Sequence, residues 1–178
     1  CKPGDIILTT GIHGLSKLGF LIQNKINFDN KFSLNERLII KSIEHFCRPR
    51  VYPNFLNNLL KTRSNKNIRR IGCTDSSDGL FQALQDLAIA SNCKAIINYE
   101  KIPKDKDWPK GDKWDEYYFF GGEDYELVFS LPEKWAKNLS KLDKNIYEIG
   151  FFTDGEPAIE FKDNKKNKLF KNTPFKHF

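Results

Sequence analysis

The hydrophobic period changes again and again along this chain, which restricts it to a fold that mixes strands and helices. Ile6 to Thr9 is a short apolar run bounded by Gly4-Asp5 and Gly11, the pattern of a central strand. Leu15, Leu18 and Ile22 then recur at helical spacing. Ser33 stands three residues before Glu36, a capping box that predicts a helix through about Phe46 with Leu38, Ile39, Ile43 and Phe46 on one face. Pro49 and Pro53 interrupt the pattern. Phe55, Leu56, Leu59 and Leu60 suggest a further helical segment, and Asn65 to Arg70 is a polar connector.

The second half alternates in the same way. Phe81 to Ala90 reads as a helix with Leu84, Leu87 and Ala88 on one face and Asn92 as its stop. Ala95 to Tyr99 reads as a strand. Residues 101–113 carry two Pro and five Lys and are expected to form a surface loop. Tyr125 to Leu131 is a strand, Pro132 to Leu142 a helix with proline in its first turn. Ile146–Phe152, Pro157–Phe161 and Lys168–Phe170 are short closing strands. The expected class is α+β, a mixed sheet flanked by helices.

Composition excludes several functions. At 178 residues, 39% hydrophobic and 13% aromatic, the chain can bury the core of one domain. No apolar stretch approaches the ~18 residues of a membrane span. Cys1, Cys47, Cys73 and Cys93 form no CxxC pair, and His13, His45 and His177 are as scattered, so a His/Cys metal site is not expected. We expect free thiols and a cytoplasmic location, since no secretory signal is visible. The net charge of +6 sits largely in lysine-rich loops that also carry Asp and Asn. They lack the aromatic interleaving of a nucleic-acid binder, so neither nucleic acid nor membrane is an expected partner. The chain opens at Cys1 and contains no Met. Its first turn runs at once into the first strand, which favours a fragment cut at a domain boundary over a lipoprotein with a flexible tether.

Three segments carry candidate chemistry. In Thr74-Asp75-Ser76-Ser77-Asp78-Gly79-Leu80, two carboxylates stand three residues apart at a helix N-terminus. Ser76 or Ser77 can cap that helix, and the segment then needs no ligand. Alternatively, Asp75 and Asp78 hold a hard cation such as Mg²⁺, with the turn amides facing a phosphate. Phe120-Gly121-Gly122-Glu123-Asp124-Tyr125-Glu126-Leu127 has paired glycines that allow close backbone approach, then three acids. It is either a turn before an edge strand or a set of acids presented at a strand's mouth. Pro174-Phe175-Lys176-His177-Phe178 either seals the core or offers Phe175 to stack on a flat ring. No Ser-His-Asp or Cys-His set and no full phosphate loop is present, so no catalytic nucleophile is assigned.

In order, these segments resemble the C-terminal domain of the thiamine-monophosphate kinase family. The match comprises Lys2-Pro3-Gly4-Asp5, Thr10-Gly11, Arg48-Pro49, Asp75-x-Ser77-Asp78-Gly79-Leu80, Gly121-Gly122-Glu123-Asp124-Tyr125-Glu126-Leu127, Ile149-Gly150 and Phe175-x-His177-Phe178. The Asp-x-Ser-Asp-Gly element recurs across the wider aminoimidazole-ribonucleotide-synthetase-like superfamily. The resemblance implies ATP-dependent phosphorylation of thiamine monophosphate to thiamine diphosphate by direct in-line transfer with Mg²⁺. By position, Asp75 and Asp78 correspond to Mg²⁺ ligands, Ser77 to an ATP contact, and Glu123 and Phe175 to substrate contacts, with Asp124 in support. It also implies that residues 1–178 form the C-terminal domain of such a kinase. The N-terminal ATP/Mg-binding and dimerisation domain is absent from this chain, so the fragment alone is expected to be inactive and the intact enzyme a homodimer. Two departures are Pro174 where the family has Gly and Gly14-Leu15-Ser16 where it has Gly-Asp-Ser. The rival readings are a selenophosphate- or aminoimidazole-ribonucleotide-synthetase-type enzyme, or a basic nucleic-acid module.

Overall fold

A computed structural model describes residues 1–26, 34–50, 52–64 and 70–163. The elements run β1 (Asp5–Thr9), α1 (Leu15–Gln23), α2 (Glu36–Cys47), α3 (Phe55–Thr62), β2 (Gly72–Asp75), α4 (Leu80–Ser91), β3 (Lys94–Ile97), a 3₁₀ turn (Tyr99–Lys101), α5 (Asp112–Phe120), β4 (Leu127–Pro132), α6 (Glu133–Leu142), β5 (Tyr147–Thr153) and β6 (Ala158–Phe161). The strands form one sheet in the order β2-β4-β1-β5-β3-β6. Every pairing is antiparallel except β3 with β6. The mixed α+β sheet flanked by helices is the expected class.

Strand β1 explains its own sequence. Its side chains alternate between two cores, one on each face of the sheet. Ile7 packs with Leu15, Leu18, Leu38, Leu84 and Phe119 on one side; Leu8 packs with Leu59, Phe129, Trp135 and Leu139 on the other. A strand covered on both faces reads as a near-continuous apolar run, here Ile6 to Leu8, and its buried polar ends, Asp5 and Thr9, are each hydrogen-bonded. The Trp135 indole also donates to the Leu59 carbonyl at 2.9 Å, tying α6 to α3 over the second core.

The register sets the position of the site. Asp75 pairs with Leu127, and Thr9 pairs with both Val128 and Tyr147. The C-terminal ends of β1 and β2 and the N-terminal ends of β4 and β5 therefore share one edge of the sheet.

Several expectations change. Helix α2 is capped by Asn35, whose side chain accepts from the Arg37 amide at 2.9 Å, so Glu36 is its first residue and not the reciprocal member of a capping box. Ser33, residues 65–69 of the connector, Lys168–Phe170 and Pro174–Phe178 lie outside the described residues. Helix α6 begins at Glu133, one residue after Pro132. Asn92 does stop α4, in the left-handed conformation at φ +48°. Strand β2 and helix α5 were not expected. Residues 101–113 are not a plain surface loop, because Ile102, Asp105 and Trp108 are buried. Lysine content concealed this: Lys41 and Arg37 neutralise Asp105 at 2.5 and 2.9 Å, while Lys104 lies 3.6 Å from the Tyr99 ring centroid.

Leu8 is fully buried in the second core. Leu8→Ala should destabilise the fold by about 2–5 kcal/mol, read as a lower urea midpoint with unchanged slope.

Candidate functional site

The chain leaves β2 at Asp75, turns through Ser76-Ser77-Asp78, and starts α4 after Gly79. Gly79 sits at φ +95°, and a Cβ there would lie 3.0 Å from the Phe119 carbonyl oxygen, so glycine is needed for both conformation and space. No side chain caps α4, which overturns the capping explanation of this motif. The two serines are used elsewhere. Ser77 Oγ donates to Asp75 Oδ1 at 2.7 Å, and the Ser77 amide donates to the same oxygen at 3.2 Å. Ser76 Oγ accepts from the Glu126 amide at 3.1 Å. Asp75 and Asp78 remain exposed, presented to solvent at the sheet edge.

The paired glycines work by close approach. A Cβ on Gly121 would meet the Tyr117 carbonyl oxygen at 2.3 Å, and one on Gly122 would meet that of Ser77 at 2.3 Å. The segment after α5 thereby lies directly on the Asp75–Gly79 turn. The Glu123 amide donates to the Ser77 carbonyl at 2.8 Å and the Ser76 amide to the Glu126 carbonyl at 2.9 Å. With the Glu126 amide on Ser76 Oγ, three hydrogen bonds join the two motifs just beyond the β2–β4 ladder. Strand β4 is interior, flanked by β2 and β1, so this is not a turn before an edge strand.

The three acids of this segment divide by burial. Glu123 is exposed; Asp124 and Glu126 are 1% exposed. The expectation of acids presented at a strand's mouth therefore holds for Glu123 alone. Asp124 accepts from the amides of Gly14 and Ser16 at 2.5 and 2.9 Å, serving as the N-cap that α1 lacks in its own sequence. Burial raises its carboxyl to about 6 against the pull of those hydrogen bonds. Glu126 accepts from Thr10 Oγ1 at 2.7 Å. Burial pushes its carboxyl up, but hydrogen bonds from His45, Thr10 and Tyr52 outweigh that and hold it below the ordinary glutamate value.

Two scattered histidines meet beneath the site. His45 Nδ1 lies 3.0 Å from Ser16 Oγ and 3.6 Å from Asp124, and its Nε2 lies 3.6 Å from Glu126. His13 Nε2 is 2.8 Å from Thr9 Oγ1, and burial lowers its pKa to about 4. No spacing rule foretold this network. The one available signal was that His45 follows Leu38 and Ser42 on the buried face of α2.

On the exposed side, the Tyr125 hydroxyl donates to Glu123 Oε2 at 2.8 Å. That hydrogen bond, with the fields of Glu123, Asp75 and Asp78, raises the Tyr125 phenol above its ordinary value. Asp75, Asp78, Glu123 and Tyr125 thus lie on one negative face, to which Ser77 is tied by its hydrogen bond to Asp75. Among the described residues, no group of three or more His, Cys, Asp or Glu is arranged to hold a metal unaided. Two exposed carboxylates suit Mg²⁺, which completes its shell with water and phosphate oxygens. Phe175 lies outside the described residues. Among those residues, no helix is long and apolar enough to cross a membrane.

A family model described as the C-terminal domain of AIR synthase related proteins matches residues 2–162. The thiamine-monophosphate kinase of Prochlorococcus marinus is 33% identical over 177 residues, which cover 99% of this chain and 53% of that protein. The thiamine-monophosphate kinase of Buchnera aphidicola subsp. Schizaphis graminum is 33% identical over 184 residues, 99% of this chain and 54% of that one. Among solved structures, AaThiL complexed with AMPPCP and TMP shares the fold with a TM-score of 0.71 at 24% identity, covering 100% of this chain and 52% of that chain. The chain spans about half the length of the curated relatives it matches.

The buried groups predict a pH profile with opposed contributions. Folded Asp124 takes its proton near pH 6 and the unfolded residue near 3.8, so acidification across that window favours the folded state. Folded His13 resists protonation until about pH 4 while the unfolded residue protonates near 6.5, so acidification there favours unfolding. The two offset each other in the wild type. Asp124→Asn should leave a stability that falls steadily from pH 6.5 to 4, and His13→Asn one that rises from pH 6 to 4, both measured by urea unfolding.

Proposed function

The chain belongs to the AIR synthase related proteins, through their C-terminal domain, and from that premise we propose that it is the C-terminal domain of a thiamine-monophosphate kinase. The reaction is ATP-dependent phosphorylation of thiamine monophosphate to thiamine diphosphate by direct in-line transfer. The observation that carries this reading is the meeting of the Asp75–Gly79 turn with the Gly121–Glu126 segment at one sheet edge, joined by hydrogen bonds. The names of the relatives, and the AMPPCP and TMP of the AaThiL complex, supply the substrate pair.

Phosphoryl transfer asks a protein for positioning and charge neutralisation more than for covalent chemistry. In this reading Asp75 and Asp78 hold Mg²⁺, Ser77 contacts ATP, and Glu123 and Phe175 contact thiamine monophosphate. Asp75 Oδ1 is fixed by two donations from Ser77, which orients Oδ2 as the oxygen available to a cation. Bound Mg²⁺ would neutralise phosphate charge and polarise the transferred group. The positively charged thiazolium ring suits a face lined by Glu123 and an aromatic side chain. The relatives' remaining length supplies, in this reading, an N-terminal domain that completes the nucleotide site and forms a homodimer. The enzyme works in the cytoplasm.

The test compares the gene product extended upstream with this chain, both given thiamine monophosphate, ATP and Mg²⁺. Thiamine diphosphate should form with the long protein, vanish with EDTA, and not form with the chain alone. A folded long protein without that activity overturns the reading. In the long protein, Asp75→Asn should lower turnover by more than about 100-fold with little change in melting temperature; equal losses of both would make Asp75 structural.

A further inference from the structure

Glu123 and Tyr125 are both non-glycine residues with positive φ, +70° and +52°. Left-handed backbone is costly for such residues and persists where surrounding contacts over-determine it. Here the restraints alternate with the strained residues. Gly122 is pressed against Ser77; Asp124 is buried on the Gly14 and Ser16 amides; Glu126 is buried on Thr10. Pinning the even positions inward turns residues 123 and 125 outward onto the face that carries Asp75 and Asp78.

Tyr125 contributes little to either core, being 39% exposed. Its hydroxyl makes the one hydrogen bond to the Glu123 carboxylate among the described residues. A solvent-exposed glutamate without such a partner samples several rotamers, and ordering it on binding costs affinity. With Tyr125 on Oε2, that cost is met before ligand arrives, and Oε1 is left to face it.

We infer that Tyr125 is a positioning residue for substrate binding: its hydroxyl fixes the Glu123 carboxylate so that Oε1 is directed at the thiamine monophosphate. This rests on the kinase reading above. Tyr125 itself need not touch the substrate. Its effect passes through Glu123 and falls on binding, not on the transfer step.

The experiment is a double-mutant cycle in the long protein, comparing wild type, Tyr125→Phe, Glu123→Ala and the pair. Tyr125→Phe should raise KM for thiamine monophosphate about threefold to tenfold, the worth of one ordinary hydrogen bond. Its kcat and its KM for ATP should stay within about twofold. In the Glu123→Ala background the same change should do nothing further. An equal effect in both backgrounds, or a fall in kcat with KM unmoved, overturns the inference. Wild-type protein without kinase activity overturns the kinase reading, and the inference with it. The contact itself has an independent readout in this chain. With ¹³Cζ-labelled tyrosine, the Tyr125 resonance should titrate at lower pH in Glu123→Gln than in wild type. An unchanged midpoint shows that the hydroxyl does not hold Glu123 and refutes the proposal whatever the kinetics.

Discussion

Three hydrogen bonds between the Ser76–Ser77 turn and the Glu123–Glu126 segment hold this site together. They are possible because Gly122 brings its backbone to where any side chain would collide with the Ser77 carbonyl. Without that approach, the Asp75–Asp78 pair and Glu123 would be separate surface acids on separate loops. With it, they share one face, and the sheet register beneath, Asp75 against Leu127, carries the same alignment into the core. The site is an extension of the β2–β4 pairing.

The buried carboxylates explain why the segment can sustain its strain. Asp124 and Glu126 are costly to bury, and each is compensated by directed donors: two backbone amides for the first; Thr10, Tyr52 and His45 for the second. Those donors come from the residue after β1, the start of α1, α2 and the segment following α2. A glutamate–aspartate–tyrosine–glutamate run thus divides in two, inward acids that anchor and outward residues exposed on the face of Asp75 and Asp78. Gly11 belongs to the same arrangement, since a Cβ there would lie 2.2 Å from Glu126 Oε1.

Much of this was legible in the sequence, for physical reasons that differ by residue. The Ile6–Thr9 run announced a central strand because a strand covered on both faces reads as a short, nearly continuous apolar run between turns. Gly121-Gly122 announced a close approach, and Asn92 a helix end. Helix α5 was hidden because Asp112–Phe120 interleaves charges with bulky aromatics and shows no clean apolar stripe. Strand β2 is too short, at four residues, to show a period. The serines of the Asp75–Asp78 turn looked like helix caps because local chemistry favours that use. Instead Ser77 bonds Asp75 within the turn itself, and Ser76 is taken by a tertiary contact, the Glu126 amide. Meetings across long stretches of sequence, such as His45 with Asp124 and Glu126, leave no local pattern at all.

The proposed function requires the two motifs to form one cation-binding face. Paramagnetic broadening by Mn²⁺, followed on the amide spectrum of ¹⁵N-labelled chain, tests it most directly. The account predicts that amides of Asp75–Gly79 and of Gly122–Tyr125 broaden together at the same low Mn²⁺ concentration, before those elsewhere, and that Asp75→Asn abolishes both sets. Broadening confined to one segment, or centred away from both, would contradict it.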